Sequence, residues 1–540
     1  MNVRPDPQRR HVRIFKSILI LSHRYIGIPL SLFFVMWFVS GFFMIYSGGM
    51  PKVTDDMQLA GAQPLDLAQV KITPAQAATV AGYEPPAAVL RTILGRPVYE
   101  LGDPGYHSSL VYADTGELMQ PLTSAQGAEL ASSFLSIPAS LFRLQQTLED
   151  HTDQWTFTVG RDLPLYQYVV DDAAATQVYV SVNSARVSTY TTRQSRALAW
   201  LGTIPHWLYF ETLRDHQQLW NSVLVWSAGL GCVMAVLGLG LGFTQFRTVR
   251  PFEWRRAIPY KGLMRWHYLL GSVFGLVTLT WVFSGLVSME PWAWTRVQGL
   301  KVPPGTLAGS ELKLQEFQLP DVLQLQLLTG SPVKQLEFAR VLGAPYFIAG
   351  FVPVKADVGS KRDRLHQPYN INGQLQAAAV MVDAQTGQQH PGFDAARLVS
   401  ALEAAIMDAK VTDSAILTDY DDYYYSRGNQ LPLPVLRIKF DDPEQSWLYV
   451  DPVRGKLLSL VHKWSRLERW LYNGLHSLDF AFWYHRRPLW DIGMLVLLSG
   501  GLGTSLLGLY FGMRRLKNDL ALLANKLFRK KSSKGVPYAA

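Results

Sequence analysis

The stretch RWHYLLGSVFGLVTLTWVFSGLVSME, Arg265–Glu290, occurs twice in the chain. Its earlier copy is SHRYIGIPLSLFFVMWFVSGFFMIYS, Ser22–Ser47. His23 aligns with His267, Gly27 with Gly271, Trp37 with Trp281, Ser40 with Ser284 and Gly41 with Gly285, every pair 244 residues apart and without a gap. Each copy is mostly apolar and long enough for a helix to cross a bilayer, which takes about 20 residues. Each carries one histidine about a turn and a half inside its first end. Hydrocarbon offers an imidazole no hydrogen bond, so such a residue is either satisfied inside a bundle or bound to something. A lone histidine there is ordinarily an interface or packing residue. Two at matched depth on repeated helices read instead as the two axial ligands of a haem.

A second repeat strengthens the first. SRALAWLGTIPHWLYFETLRDHQQLW, Ser195–Trp220, matches SRLERWLYNGLHSLDFAFWYHRRPLW, Ser465–Trp490, at a constant 270 residues. Ser195/Ser465, Arg196/Arg466, Trp200/Trp470, His206/His476 and Trp220/Trp490 coincide. The chain is therefore a duplicated unit: a helix out, an aqueous α+β domain, an amphipathic lead-in and a helix back. Parallel repeats of this kind place equivalent residues across a pseudo-twofold axis along the membrane normal. His23 and His267 would lie near the inner side, and His206 and His476 near the outer side. Four helices can hold two stacked haems in a bundle core. His216 and His485, one residue apart in register, are candidates as alternative outer ligands or a third site. Arg196 and Arg466, ten residues before the outer histidines, suit either haem propionates or interface anchoring. Trp37 and Trp281 lie fourteen residues beyond the inner histidines, roughly 21 Å at helical rise, and either flank an electron path or pack the core.

Composition agrees with a few spanning helices and sizeable aqueous domains. Of 540 residues 17% are charged and 48% apolar, too few charges for a soluble protein and too many for one wholly in lipid. The net charge of +9 gathers beside apolar runs: Arg9, Arg10, Arg13 and Lys16; Arg247 to Arg265; and Arg514 to Lys534. Those are cytoplasmic flanks under the positive-inside rule, and nucleic acid is not an expected partner. The single cysteine, Cys232, excludes disulfides, CxxC pairs and iron–sulfur ligand sets.

The boundaries follow. Residues 1–14 form a cytoplasmic leader, 15–47 the first span, and 50–195 an extracytoplasmic domain. Residues 196–218 are an interfacial lead-in, 219–246 the second span, 247–263 a basic loop, and 264–290 the third span. Residues 297–460 form the second extracytoplasmic domain, 461–487 its lead-in, 488–512 the fourth span, and 513–540 a cytoplasmic tail. Both termini are expected in the cytoplasm. The first span is read as an uncleaved anchor, because its apolar core is too long for a signal peptide. Ile72–Gly82 looks like a short capped helix. RTILGRPVYELG and HSSLVYADTGELMQP read as strands with Asp114–Thr115–Gly116 as a turn between them, and a second strand pair is placed around Asn183–Arg186.

GLGLG, Gly238–Gly242, follows no strand and sits in a span, so it is read as close helix packing. The chain has no Rossmann or Walker sequence. LTDYDDYYYSRG, Leu417–Gly428, gathers Asp419, Asp421, Asp422 and four tyrosines, suited to a hard cation or to plain packing.

The paired His23 and His267 helices, the His206 and His476 lead-ins, and the hairpins VYADTGEL and VMVDAQTGQ together resemble the PepSY-associated transmembrane helix family. These are bacterial iron-regulated membrane proteins that include siderophore reductases. The resemblance implies a four-helix transmembrane bundle with two PepSY-like α+β domains in the bacterial inner membrane. It also implies haem b, expected twice, at His23, His267, His206 and His476, and reduction of a ferric chelate or siderophore outside. The electron donor would be a quinol or a cytoplasmic reductase. The alternative is a non-enzymatic PepSY protein that regulates a protease or scaffolds a transporter, in which the histidines only pack.

Overall fold

The structure, a computed structural model, describes residues 7–103, 107–251, 253–297, 299–353, 378–425 and 431–532. Ser426–Gly428 of the tyrosine-rich stretch and Lys534 of the basic tail lie outside the described residues. The chain divides into a helical unit (Met1–Ile45, Trp200–Thr295 and Leu467–Ala540) and a sheet unit (Tyr46–Ala199 and Arg296–Arg466).

Among the described residues four helices are long and apolar enough to cross a membrane: Ile14–Ser47, Gln217–Gln245, Gly262–Ser288 and Leu489–Asn525. Their mean hydropathies run from 1.8 to 2.1. The first begins with Pro7, whose missing N–H is no loss in a first helical turn. The fourth was expected to end near residue 512, yet its helix runs on to Ser532. Arg514 and Arg515 end the apolar run there. The Leu-, Ala- and Lys-rich stretch beyond them contains no Gly or Pro to end the helix.

All four helices contribute to one core, which includes Leu30, Phe34, Ala228, Met234, Trp281 and Trp490. Small residues permit the close approach: a side chain at Gly500 or Gly501 would collide with the rings of Phe274 and Phe38. The lead-ins, expected as single amphipathic segments, are broken into short pieces. Thr203–Trp207 carries His206, and Leu475–Ser477 carries His476. Each piece is ended two residues after its histidine by a leucine in left-handed conformation, Leu208 (φ 51°) and Leu478 (φ 48°). A bulky residue there costs about 1–2 kcal/mol. The same strained turn at equivalent positions aims both histidines alike.

Among the described residues the sheet unit contains three antiparallel sheets. Strands β1 (Ala88–Ile93), β2 (Arg96–Asp103) and β3 (His107–Tyr112) come from the first aqueous stretch. The same stretch supplies β4 (Phe142–Leu148), β5 (Leu165–Val170), β6 (Gln177–Ser181) and β7 (Arg186–Thr191). The second stretch supplies β8 (Val333–Val341), β9 (Ala344–Phe351) and β10 (Ala378–Asp383). It continues with β11 (Val411–Leu417), β12 (Val435–Phe440), β13 (Trp447–Asp451) and β14 (Lys456–Val461).

β4–β7 and β11–β14 form two four-stranded sheets, one from each stretch. The remaining strands form one six-stranded sheet in the order β10-β9-β8-β1-β2-β3. Its centre is the β1–β8 pair, with Ala88 opposite Phe338 and Arg91 opposite Gln335. The two stretches are thereby joined through a common sheet, which covers the edge that each three-stranded half would otherwise expose. One apolar core runs beneath both halves, with Leu90, Tyr99, Leu336 and Phe347 fully buried.

The Ile72–Gly82 helix is present as Pro74–Ala81, with a Thr73–Gln76 capping box and Gly82 in left-handed conformation (φ 82°). The Asp114–Gly116 turn does not join the two strands as expected: it turns the chain just after β3, where Tyr112 N–H donates to Glu117 O at 2.9 Å.

Candidate functional site

In the helical unit the four repeat-equivalent histidines are held in two matched ways. His23, on the first long helix, places Nδ1 3.2 Å from Met234 O on the second. His267, on the third, places Nδ1 3.2 Å from Thr504 O on the fourth. Met234 and Thr504 are themselves 270 residues apart, so the duplication extends to the acceptor. A carbonyl only accepts, so Nδ1 carries the proton in both rings and Nε2 keeps its lone pair. Gly238, also on the second helix, backs His23: a Cβ there would lie 2.9 Å from His23 Cε1. The equivalent Gly508 would put a Cβ 3.5 Å from His267 Cε1. The GLGLG run is thus helix packing, as read from the sequence, with Gly242 set against Ser272 in the same manner.

The outer pair is brought together across the repeat. The rings of His206 and His476 stand 5.9 Å apart between centres, with planes at 76°. Ser40 Oγ lies 2.9 Å from His206 Nδ1, and Ser284 Oγ lies 2.9 Å from His476 Nδ1. Each serine has one hydroxyl proton, and each donates it to the carbonyl three residues back in its own helix. The distances are 3.1 Å from Ser40 to Trp37 O and 2.8 Å from Ser284 to Trp281 O. The imidazole must therefore be the donor, and again Nδ1 is protonated and Nε2 is not. His476 Nδ1 also reaches Trp281 O at 3.2 Å, which requires the same tautomer. Burial lowers the pKa of both rings, and for His206 the neighbouring His476 adds to the effect. Both are neutral imidazoles at ordinary pH, the form that ligates metal.

The four rings are half-buried, and no hydrogen bond reaches their Nε2 among the described residues, so each lone pair is open to a ligand. Two imidazoles gripping one metal ion from opposite sides need about 2.0–2.1 Å for each metal–nitrogen bond and about 1.1 Å from each nitrogen to its ring centre. The sum is about 6.3 Å, a few tenths of an ångström from the spacing observed. The ring-centre spacing of the outer pair is thus compatible in length with two imidazoles sharing one metal ion. Among the described residues no group of three or more His, Cys, Asp or Glu is placed to hold a metal ion.

The other candidates are placed elsewhere. His216 is exposed and its Nδ1 sits 3.2 Å from Thr212 O in its own turn. His485 is exposed and packs against Tyr484. The structure brings neither to the histidine pairs, because each follows its short helix on the outward face. Arg196 and Arg466 are engaged in the sheet unit. Arg196 donates to Thr191 Oγ1 and Ala175 O, both at 2.8 Å. Arg466 donates to Gln445 O at 2.8 Å and lies 4.3 Å above Trp447. Ala175 and Gln445 are equivalent residues in left-handed conformation, so each arginine clamps a strained turn of its own sheet.

Asp421 accepts from Tyr449 OH at 2.8 Å, Tyr424 N–H at 2.7 Å and Arg437 at 3.2 Å, a structural knot with little capacity left for a cation. Trp281 is 9% exposed and packs against Phe38 at 5.8 Å, in keeping with a core role.

Sequence reasoning passed over Ser40 and Ser284 as functional residues. Their signal was available: both belong to the repeat, and a small hydroxyl residue inside a span marks a place where a helix approaches a polar group. No protein-family model matches the chain, and no curated protein matches it.

Proposed function

We propose that the chain is a multi-pass protein of the bacterial inner membrane, with both termini cytoplasmic, that binds two haem b groups and passes electrons outward to a ferric chelate. The observation that carries this reading is the shared anchoring of four repeat-related imidazoles through Nδ1, with no hydrogen bond at Nε2 among the described residues. The basic clusters beside the apolar helices favour the stated orientation. The resemblance to PepSY-associated membrane proteins favours the substrate class, a siderophore or similar ferric complex.

Bound haem supplies a one-electron iron couple at each site. The chain's own residues ligate, orient and exclude water. His206 and His476 would hold the outer group, and His23 and His267 the inner one. The apolar core around Phe34, Phe38 and Trp281 keeps the region between them dry. Ser40 lies seventeen residues beyond His23, about 25 Å at helical rise, so two sites in series traverse most of a bilayer. For each electron taken from a quinol or a cytoplasmic reductase, one chelated Fe(III) becomes Fe(II). Hard oxygen ligands hold Fe(II) less well, and the chelate loosens.

Purified protein from haem-replete cells should show a reducible b-type Soret band and close to two haems per chain by pyridine haemochrome. His206→Ala and His267→Ala should each remove about one, while His216→Ala and His485→Ala remove none. Colourless wild-type protein would return the non-enzymatic scaffold reading. Haem that no ferric chelate oxidises would leave the conduit and remove the reductase.

A further inference from the structure

The two histidine pairs differ in what receives the Nδ1 proton. The inner imidazoles donate only to main-chain carbonyls at 3.2 Å. The outer ones donate to serine hydroxyls at 2.9 Å, and His476 shares its proton with the Trp281 carbonyl as well. Ser40 is 1% exposed and Ser284 fully buried, and neither packs as a serine without purpose: each links a helix carbonyl to an imidazole through its single hydroxyl. Such a hydroxyl is polarised by the bond it donates, which makes its oxygen a better acceptor.

We infer that Ser40 and Ser284 are positioning residues that fix the plane and tautomer of the outer ligand pair and lower the reduction potential of the iron it holds. This rests on the haem reading above. An acceptor at Nδ1–H raises the basicity of Nε2, and a more basic ligand favours Fe(III) over Fe(II). The same anchors set the rings near perpendicular, at 76°. Without them the imidazoles are free to rotate toward a common plane. The property affected would be the one-electron couple of the iron that those residues would hold, its electron drawn from the quinol or reductase named above, with no proton moved.

The test uses full-length protein carrying Ser40→Ala and Ser284→Ala, singly and together, with Ser→Thr variants that keep the hydroxyl. Spectroelectrochemical titration reads both couples, the outer one identified by its absence in His206→Ala. Low-spin ferric electron paramagnetic resonance reads the relative ring planes. The expected result is an upward shift of the outer couple and a less anisotropic outer signal in the alanine variants. The inner couple should stay still and the threonine variants near wild type. Loss of the outer haem in alanine but not threonine variants supports the same role. Two haems with neither couple moved, a downward shift, or equal movement of both couples overturns it, as does loss of the outer haem in alanine and threonine variants alike. Haem-free wild-type protein is a different failure, which removes the haem reading along with this one.

Discussion

Gly238→Ala should cost the inner site its haem, while Gly508→Ala at the equivalent position should not. A Cβ at residue 238 would stand 2.9 Å from His23 Cε1 and 3.4 Å from its Nδ1. Ordinary contact begins near 3.4 Å, so the ring must move by about half an ångström or more. Its bond to Met234 O is already 3.2 Å long and would stretch beyond hydrogen-bonding distance. Losing that bond costs about 1 kcal/mol, and residual overpacking adds at least as much. A total of about 2–3 kcal/mol corresponds to roughly 30- to 150-fold weaker haem retention at the inner site. At residue 508 the added methyl meets His267 at 3.5 Å, an ordinary contact, and the ring stays in place. The assay is haemochrome quantification across a haem-competition series with apomyoglobin, on the two variants and wild type. Equal retention in Gly238→Ala and wild type would refute the argument that this glycine positions His23.

Two further outcomes concern the sheet unit. Glu100 is fully buried between Arg91 at 2.7 Å and Arg186 at 2.6 Å. Burial alone would raise its pKa, but the two guanidinium groups bring it down to about 2. A depressed folded-state value means that its contribution is complete above the unfolded value near 4.5 and is lost as pH falls toward 2. Acid unfolding followed by circular dichroism should therefore steepen across that window and flatten in Glu100→Gln, and an unchanged profile would count against the triad. Arg196→Ala should lower the melting temperature by removing two charge-assisted bonds worth about 1.5–3 kcal/mol each at most, with the haem spectrum unaltered. A shifted Soret band instead would return Arg196 to the cofactor site.

What could be read from the chain alone was whatever a period or a repeat encodes. Continuous apolar runs specify long helices by composition, and the constant spacings of 244 and 270 residues pair His23 with His267 and His206 with His476. The capped helix after Thr73 and the Asn183–Arg186 turn were legible for the same reason, since caps and turns are local chemistry. Contacts between distant segments were not. Arg196 and His206 are neighbours in sequence, and only packing assigns one to a sheet turn and the other to a helix bundle. The join of β1 to β8 depends on which edges meet, a choice that strand sequences leave open. Ser40 and Ser284 acquire their role from a hydrogen bond spanning 166 and 192 residues. Such a bond has no signature in sequence order, because the proton donor reaches its acceptor only after the helices have packed.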